Sequence, residues 1–162
     1  MSLSDLQDIN MLEQDGEQTE LVQYLTFVMD CEEYGIEILS VQEIRGWEPM
    51  TVIPNAPDYV KGVINLRGTV VPVIDLRLRF QLPKVDYSEV TVVVIVKVLI
   101  EGHEKIMGVV VDAVSDVYSL NKDEAAQTPA VGDMANKEFI DGLINVGDKM
   151  VVLLDLNKVL DI

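Results

Sequence analysis

The chain is poor in most of the raw materials of chemistry. Among 162 residues there is one cysteine, one histidine and one tryptophan, and aromatic side chains make up only 6%. The lone Cys31 excludes an internal disulfide and any metal site built from several thiolates of one chain, and it falls in an expected turn as a spare thiol. The lone His103 stands in Glu101-Gly102-His103-Glu104-Lys105, which has the composition of a solvated hairpin tip. That leaves no second imidazole for a metal pair and no setting for a Ser-His-Asp arrangement. Phosphate-cradling Gly-x-x-x-x-Gly-Lys loops, dinucleotide fingerprints and kinase signatures are absent. Adjacent acids such as Glu32 and Glu33, or Asp123 and Glu124, are expected in turns, solvated rather than paired for acid–base work. No catalytic residue, cofactor or metal is expected.

Positive charge is also scarce. Twelve basic against 28 acidic side chains leave a formal charge of −16, which repels phosphate backbones and anionic headgroups at long range. Nucleic acid and membrane surfaces are therefore poor partners. The longest apolar run, Val92 to Val96 resuming at Val98 to Ile100, is far too short to span a bilayer as a helix, and no cationic-apolar leader opens the chain. A cytoplasmic location is the expectation.

What the chain has in quantity is apolar residues, 49% of the total, enough for a substantial core. Residues 1–19 are polar and acidic and read as a flexible tail. From Leu21 onward the texture is short runs rich in Val, Ile and Thr, punctuated by Gly, Pro and Asn, the pattern of many short strands. Strands are expected at 21–29, 33–39, 50–53, 61–66, 69–74, 90–99, 105–112, 115–120, 140–146 and 149–154. Helical signal is confined to 75–80, 134–138 and 155–160, with a turn around 40–44.

The chain repeats itself. Tyr59-Val-Lys-Gly62-Val-Ile64-Asn65-Leu66, continuing to Asp75-Leu76, matches Phe139-Ile-Asp-Gly142-Leu-Ile144-Asn145-Val146, continuing to Asp155-Leu156, at a constant offset of 80. Gly35 to Ile38 with Val41, Glu43 and Ile44 falls, at an offset of 73, on Gly108 to Val111 with Val114, Asp116 and Val117. Each copy holds about five strands, and so short a twisted sheet hides its edges by curling into a small barrel. The seam is expected near 81–89, giving a first barrel at about 33–89 and a second at about 90–154, with 20–32 and 155–162 packing across the two.

Features kept in both copies serve the fold. Gly62 and Gly142 suit positive φ or close backbone approach, Asn65 and Asn145 suit turns, and Asp75 and Asp155 suit N-caps. Function is sought where the copies differ. All four arginines, Arg45, Arg67, Arg77 and Arg79, lie in the first copy. Arg67, at a hairpin tip where the second copy has Gly147-Asp148, is read as an interface residue. Arg77 and Arg79 are read as surface partners of Asp75 or other carboxylates, contributing at most ~1 kcal/mol each. Trp47 is read as core or rim, and Met107, Met134 and Met150 as packing. The unbroken Thr91 to Val96 run implies a strand covered on both faces.

Taken together, Glu33-Tyr-Gly-Ile36, Val41-Gln-Glu-Ile-Arg-Gly46, Lys61-Gly-Val-Ile-Asn-Leu-Arg-Gly68, Val71-Pro-Val-Ile-Asp-Leu-Arg77 and Val110-Val-Asp-Ala-Val-Ser-Asp-Val117 resemble the CheW family of bacterial chemotaxis coupling proteins, from about residue 21 to the end. The resemblance implies an all-β fold of two intertwined five-stranded SH3-like barrels with a few short helices. It also implies an adaptor that bridges the cytoplasmic signalling tip of chemoreceptors to the regulatory domain of the histidine kinase CheA, recruited to arrays that can include further CheW copies. By motif position it places Ile38, Val41, Glu43, Arg67, Gly108 and Val117 at or under the receptor and kinase contacts, with Gly62 and Gly142 preserving those surfaces indirectly. The stretch 121–138 departs from the family pattern, with Ala126 and Val131 where a basic side chain and an aromatic are expected. The coupling domain of a CheV-like protein and a module binding a small ligand between the barrels are the alternative readings.

Overall fold

The computed structural model describes residues 21–126 and 137–161. The expected tail at 1–19, Met134 and most of the divergent 121–138 stretch lie outside them. The described residues form ten strands: β1 (Leu21–Met29), β2 (Glu32–Glu37), β3 (Val41–Gly46), β4 (Val60–Leu66), β5 (Thr69–Asp75), β6 (Val92–Ile100), β7 (His103–Val111), β8 (Ala113–Asn121), β9 (Ile140–Val146) and β10 (Lys149–Leu154). One-turn helices α1 (Leu76–Arg79) and α2 (Leu156–Val159) follow β5 and β10, each N-capped as the repeat implied: Asp75 accepts from the Arg77 N–H, and Asp155 from those of Asn157 and Lys158.

Two five-stranded sheets result, ordered β8-β1-β2-β10-β9 and β3-β6-β7-β5-β4. We call them barrels A and B. The first hairpin of each copy has crossed over. β1 and β2 from the first copy pair with β8 and, in parallel, with β10, while β6 and β7 from the second copy pair with β3 and, in parallel, with β5. The division at 33–89 and 90–154 is thus corrected to 21–37 with 113–154 for barrel A, and 41–75 with 92–111 for barrel B. The repeat marks where the copies begin and end. It does not reveal pairing partners, because a parallel pair can join strands far apart in sequence.

Each barrel closes through one extra backbone bridge, and the two bridges are equivalent in the repeat. In barrel B, Thr51 and Val63 exchange N–H···O bonds of 3.2 and 2.8 Å; in barrel A, Ala126 and Leu143 exchange bonds of 2.7 and 2.8 Å. Thr51 is all that forms of the strand expected at 50–53, since Pro49 and Pro54 flank it and proline cannot donate to a ladder. The strand lies instead at 41–46, where a turn was expected. Its half-buried face carries Glu43 and Arg45, so its alternation does not read as apolar.

Three apolar cores follow. Tyr24, Leu120, Ile144, Val151 and Leu153 fill barrel A, and Val71, Val73, Val93, Ile95 and Val110 fill barrel B. A larger third core lies between the barrels, with Phe27, Ile36 and Leu154 from A meeting Ile74, Val94 and Val109 from B. The unbroken valine run of β6 explains itself here. Val93 and Ile95 point into their own barrel, Val94 and Val96 into the shared core, and all four are buried. Met107 is buried and Met150 half exposed, while Trp47 stands at the rim of barrel B, its ring 4.0 Å from that of Tyr87.

Candidate functional site

The chain crosses from barrel A to barrel B through a 3-10 turn, Ile38–Ser40, and enters β3. Ile38 and Val41 pack against the shared core from this crossing. Two residues along the same face, Glu43 reaches the tip of the β4–β5 hairpin: Arg67 Nη2 lies 3.1 Å from Glu43 Oε1, and Arg45 Nε lies 3.6 Å from Oε2. One carboxylate thus holds two guanidinium groups. The Arg67 side chain remains 79% exposed, with most of its donors turned to solvent. Its backbone is left-handed, φ 51°, in a tight turn with Gly68 at φ 89°, and Asn65 Oδ1 accepts from the Gly68 N–H at 2.8 Å.

The remaining sequence-predicted positions lie elsewhere. Gly108 is buried in the wall of barrel B opposite Val73, where an added Cβ would come within 3.0 Å of both Val73 and Val93. Val117 stands on β8, the outer strand of barrel A, 44% exposed. Its repeat equivalent, Ile44, is 46% exposed on β3, the outer strand of barrel B. Each barrel therefore offers an edge strand with one exposed aliphatic side chain and a half-buried neighbour packed on the shared core, Val41 on one and Val114 on the other.

The two edges differ in charge. In barrel B the neighbours are Glu43, Arg45 and Arg67; at the equivalent places barrel A has Asp116, Tyr118 and the turn Gly147-Asp148. One edge carries two arginines, paired with Glu43 and Glu48; the other carries Asp116 and Asp148 and no arginine, with Lys149 next to the turn. Ile44 was the residue that motif position alone passed over, although the offset of 73 pairs it with Val117.

Gly62 and Gly142 lie behind these edges at the barrel closures. At Gly62, φ +148°, an added Cβ would fall 2.2 Å from the Thr51 carbonyl oxygen. At Gly142 the nearest atoms would be the Ala125 Cβ at 3.1 Å and the Ala126 oxygen at 3.3 Å.

The other two arginines correct the sequence reading. Neither pairs with Asp75 at the surface. Arg77 is buried, with Nε and Nη2 each 2.9 Å from the two oxygens of Asp112, and Nη1 donating to the Pro83 carbonyl at 2.8 Å. Burial pushes the Asp112 carboxyl up, but the Arg77 hydrogen bonds and charge, with the Asp30 N–H, outweigh it and hold the carboxyl below its ordinary range. Arg79 donates to carbonyls at and just past the C-terminal end of α2. Sequence could not show this, because the partners are a carboxylate 35 residues away and backbone oxygens 79 to 82 residues away. Asp75 is instead bonded by the Tyr87 hydroxyl at 2.6 Å, and burial followed by that bond pushes the Tyr87 pKa far up.

A cleft of about 520 Å³ opens between the β6–β7 hairpin and barrel A, lined by Glu37, Glu104, Asp141 and Asp155 with two lysines that are already paired. Lys97 pairs with Glu104 at 3.3 Å, and Lys122 with Asp141 at 3.2 Å. The bond to Asp141 raises the Lys122 pKa despite partial burial, so this amine stays charged and held. Among the described residues no group of three or more His, Cys, Asp or Glu side chains is placed to hold a metal. No helix of the described residues is long and apolar enough to cross a membrane.

Two five-stranded barrels built by duplication around a shared core, with unlike edge strands, define the class: a duplicated β-barrel protein. The chain matches the CheW-like domain family over residues 23–162, and it belongs to that family. It is 44% identical over 138 residues to the chemotaxis protein CheW of Klebsiella aerogenes, covering 85% of this chain and 81% of that one. To the chemotaxis protein CheW of Bacillus subtilis it is 31% identical, covering 85% of each. The crystal structure of the scaffolding protein TtCheW from Thermoanaerobacter tengcongensis superposes with a TM-score of 0.77 at 30% identity, covering 91% of this chain and 92% of that chain. The chemotaxis protein CheV3 of Helicobacter pylori is 30% identical over 130 residues, but the chain spans only 41% of its length.

Proposed function

We propose that the chain couples the cytoplasmic signalling tip of chemoreceptors to the histidine kinase CheA, each partner engaging a different part of the paired barrels. The observation that carries this reading is the pair of equivalent edge strands that differ in their charged residues: β3 with exposed Ile44, next to Arg45 in the chain and with Arg67 held on Glu43, and β8 with exposed Val117 next to Asp116. Two faces of like shape and unlike charge suit different partners, since charge sets specificity where apolar area is similar. Ile38, Val41, Glu43 and Arg67 form the receptor and kinase contact on the B side, and Val117 belongs to the contact on the A side, with Gly108 supporting the wall beneath. Several modest contacts repeated along an array, with further copies of this chain included, give avidity without a tight single interface. Its place is at receptor arrays on the inner face of the membrane.

The test mixes the protein with CheA and a receptor signalling fragment, then measures co-sedimentation and kinase activation. Activation above the binary mixtures is expected, with Arg67→His reducing it severalfold. Absence of both partners from the pellet, with Arg67→His indistinguishable from the parent, would overturn the reading.

A further inference from the structure

Among the described residues only two chain crossings join the barrels, the 3-10 turn at Ile38–Ser40 and the single residue Asp112 between β7 and β8. The shared core between them is apolar, and apolar contact is non-directional: it holds two bodies together without strongly fixing their angle. Directional bonds are supplied by α1. Arg77 grips the second crossing itself, bonding both oxygens of Asp112, and its Nη1 lies 3.4 Å from Asp30 in the β1–β2 turn of barrel A. Asp112 is tied on both sides, its Oδ2 accepting from the Asp30 N–H at 3.0 Å and its own N–H donating to the Val28 carbonyl at 3.2 Å. Arg79 reaches the opposite way, donating to the carbonyl of Val159, the last residue of α2, at 2.9 Å and to that of Asp161, just past it, at 3.1 Å. Its guanidinium lies 5.0 Å from the ring centre of Tyr59, before barrel B's β4, and 4.8 Å from that of Phe139, before barrel A's β9.

These bonds are one-sided in a protein otherwise built as a repeat. The equivalents of Arg77 and Arg79, 80 residues on, are Asn157 and Val159. The fold does not need arginine at both places to close a barrel. We propose that Arg77 and Arg79 are positioning residues that lock the angle between the barrels, and that this locked angle is what makes two partners, held on different barrels, act on one another. The inference rests on the coupling function proposed above. It adds that coupling depends on rigidity between the barrels, separately from affinity at either docking edge, because planar, bidentate guanidinium bonds fix orientation where an ammonium fixes only distance.

The test uses the full chain with Cys31→Ser and spin labels at Thr69→Cys on barrel B and Ser119→Cys on barrel A, both exposed positions. Arg77→Lys keeps the charge and loses the fork. Arg79→Leu keeps an apolar stem between Tyr59 and Phe139, so one variant remains folded if the other does not. The expected result has three parts: a broadened inter-label distance distribution, affinities for the isolated kinase regulatory domain and the receptor fragment unchanged within about twofold, and kinase activation in the ternary mixture reduced at least about fivefold. A distribution as narrow as the parent's, or full activation despite broadening, overturns the proposal. Failure of the parent itself to activate the kinase overturns the coupling reading instead, and the functional half of this proposal with it.

Discussion

Replacing Gly62 with alanine should cost far more than replacing Gly142, although the two occupy the same place in the repeat. At Gly62 the new Cβ would lie 2.2 Å from the Thr51 carbonyl oxygen and 2.9 Å from its carbon, at φ +148°. The obstacle is backbone, so no rotamer relieves it, and the segment at Thr51 must move by about 1 Å to restore an ordinary contact. That movement breaks the Thr51–Val63 bridge, two hydrogen bonds worth roughly 1 kcal/mol each. Holding alanine in a glycine-only backbone region adds about 1–3 kcal/mol. The total, about 3–5 kcal/mol, corresponds to a fall in Tm of about 6–20 °C for a domain of this size. At Gly142 the contacts of 3.1 and 3.3 Å need a shift of only a few tenths of an ångström. Alanine there also recovers the roughly 0.5–1 kcal/mol that glycine loses inside a strand, so the change is close to neutral. Equilibrium urea denaturation of the full chain checks the difference. Equal costs within about 0.5 kcal/mol, or a milder effect at Gly62, would refute the reasoning. A second arm sharpens it: Ala125→Gly should relieve any cost of Gly142→Ala, whereas Thr51→Gly should not rescue Gly62→Ala.

Three further outcomes can be measured. Asp112→Asn should destabilise the protein by about 2–3 kcal/mol at neutral pH, less than a fully buried pair because Asp112 is partly exposed; since the folded carboxyl titrates below its ordinary 3.8, its contribution is present above that value and is lost as pH falls through the lower folded pKa, so denaturation curves of parent and variant should converge in acid. Arg67→Asn should raise stability by up to about 1 kcal/mol, because asparagine tolerates the left-handed turn better, while lowering kinase activation; a variant that gains neither stability nor a functional defect would contradict the assignment. Tyr87→Phe should cost about 1.5–3 kcal/mol in urea denaturation, the value of a hydrogen bond to the buried Asp75 carboxylate.

Much of the fold was legible because it rests on local and repeated signals. The Val, Ile and Thr runs gave nine of the strands, and the matched Asp75 and Asp155 correctly marked two N-caps. What escaped depended on distant partners. β3 carries Glu43 and Arg45 on its half-buried face, and their burial makes sense only beside Arg67, which the closed barrel brings near. The exchange of hairpins was hidden for the same reason: Gly35 faces Leu153 across a parallel ladder, and nothing within either segment records that pairing. At the candidate site, the difference between copies pointed to Arg67, whereas the roles of Arg77 and Arg79 required the position of the crossing at Asp112.

The exchanged hairpins also set a timetable for synthesis. β2 cannot complete its sheet until β10 has left the ribosome, since Gly35 pairs with Leu153. At about 5–20 residues per second, the intervening stretch takes roughly 6–24 s to make. Through that interval the first hairpin carries an unpaired edge and the apolar face of Leu25, Phe27 and Ile36, while barrel B can already assemble once β7 emerges. The later barrel is therefore built around the oldest part of the chain, and a truncated product ending before β10 would expose an edge ready to pair with another molecule.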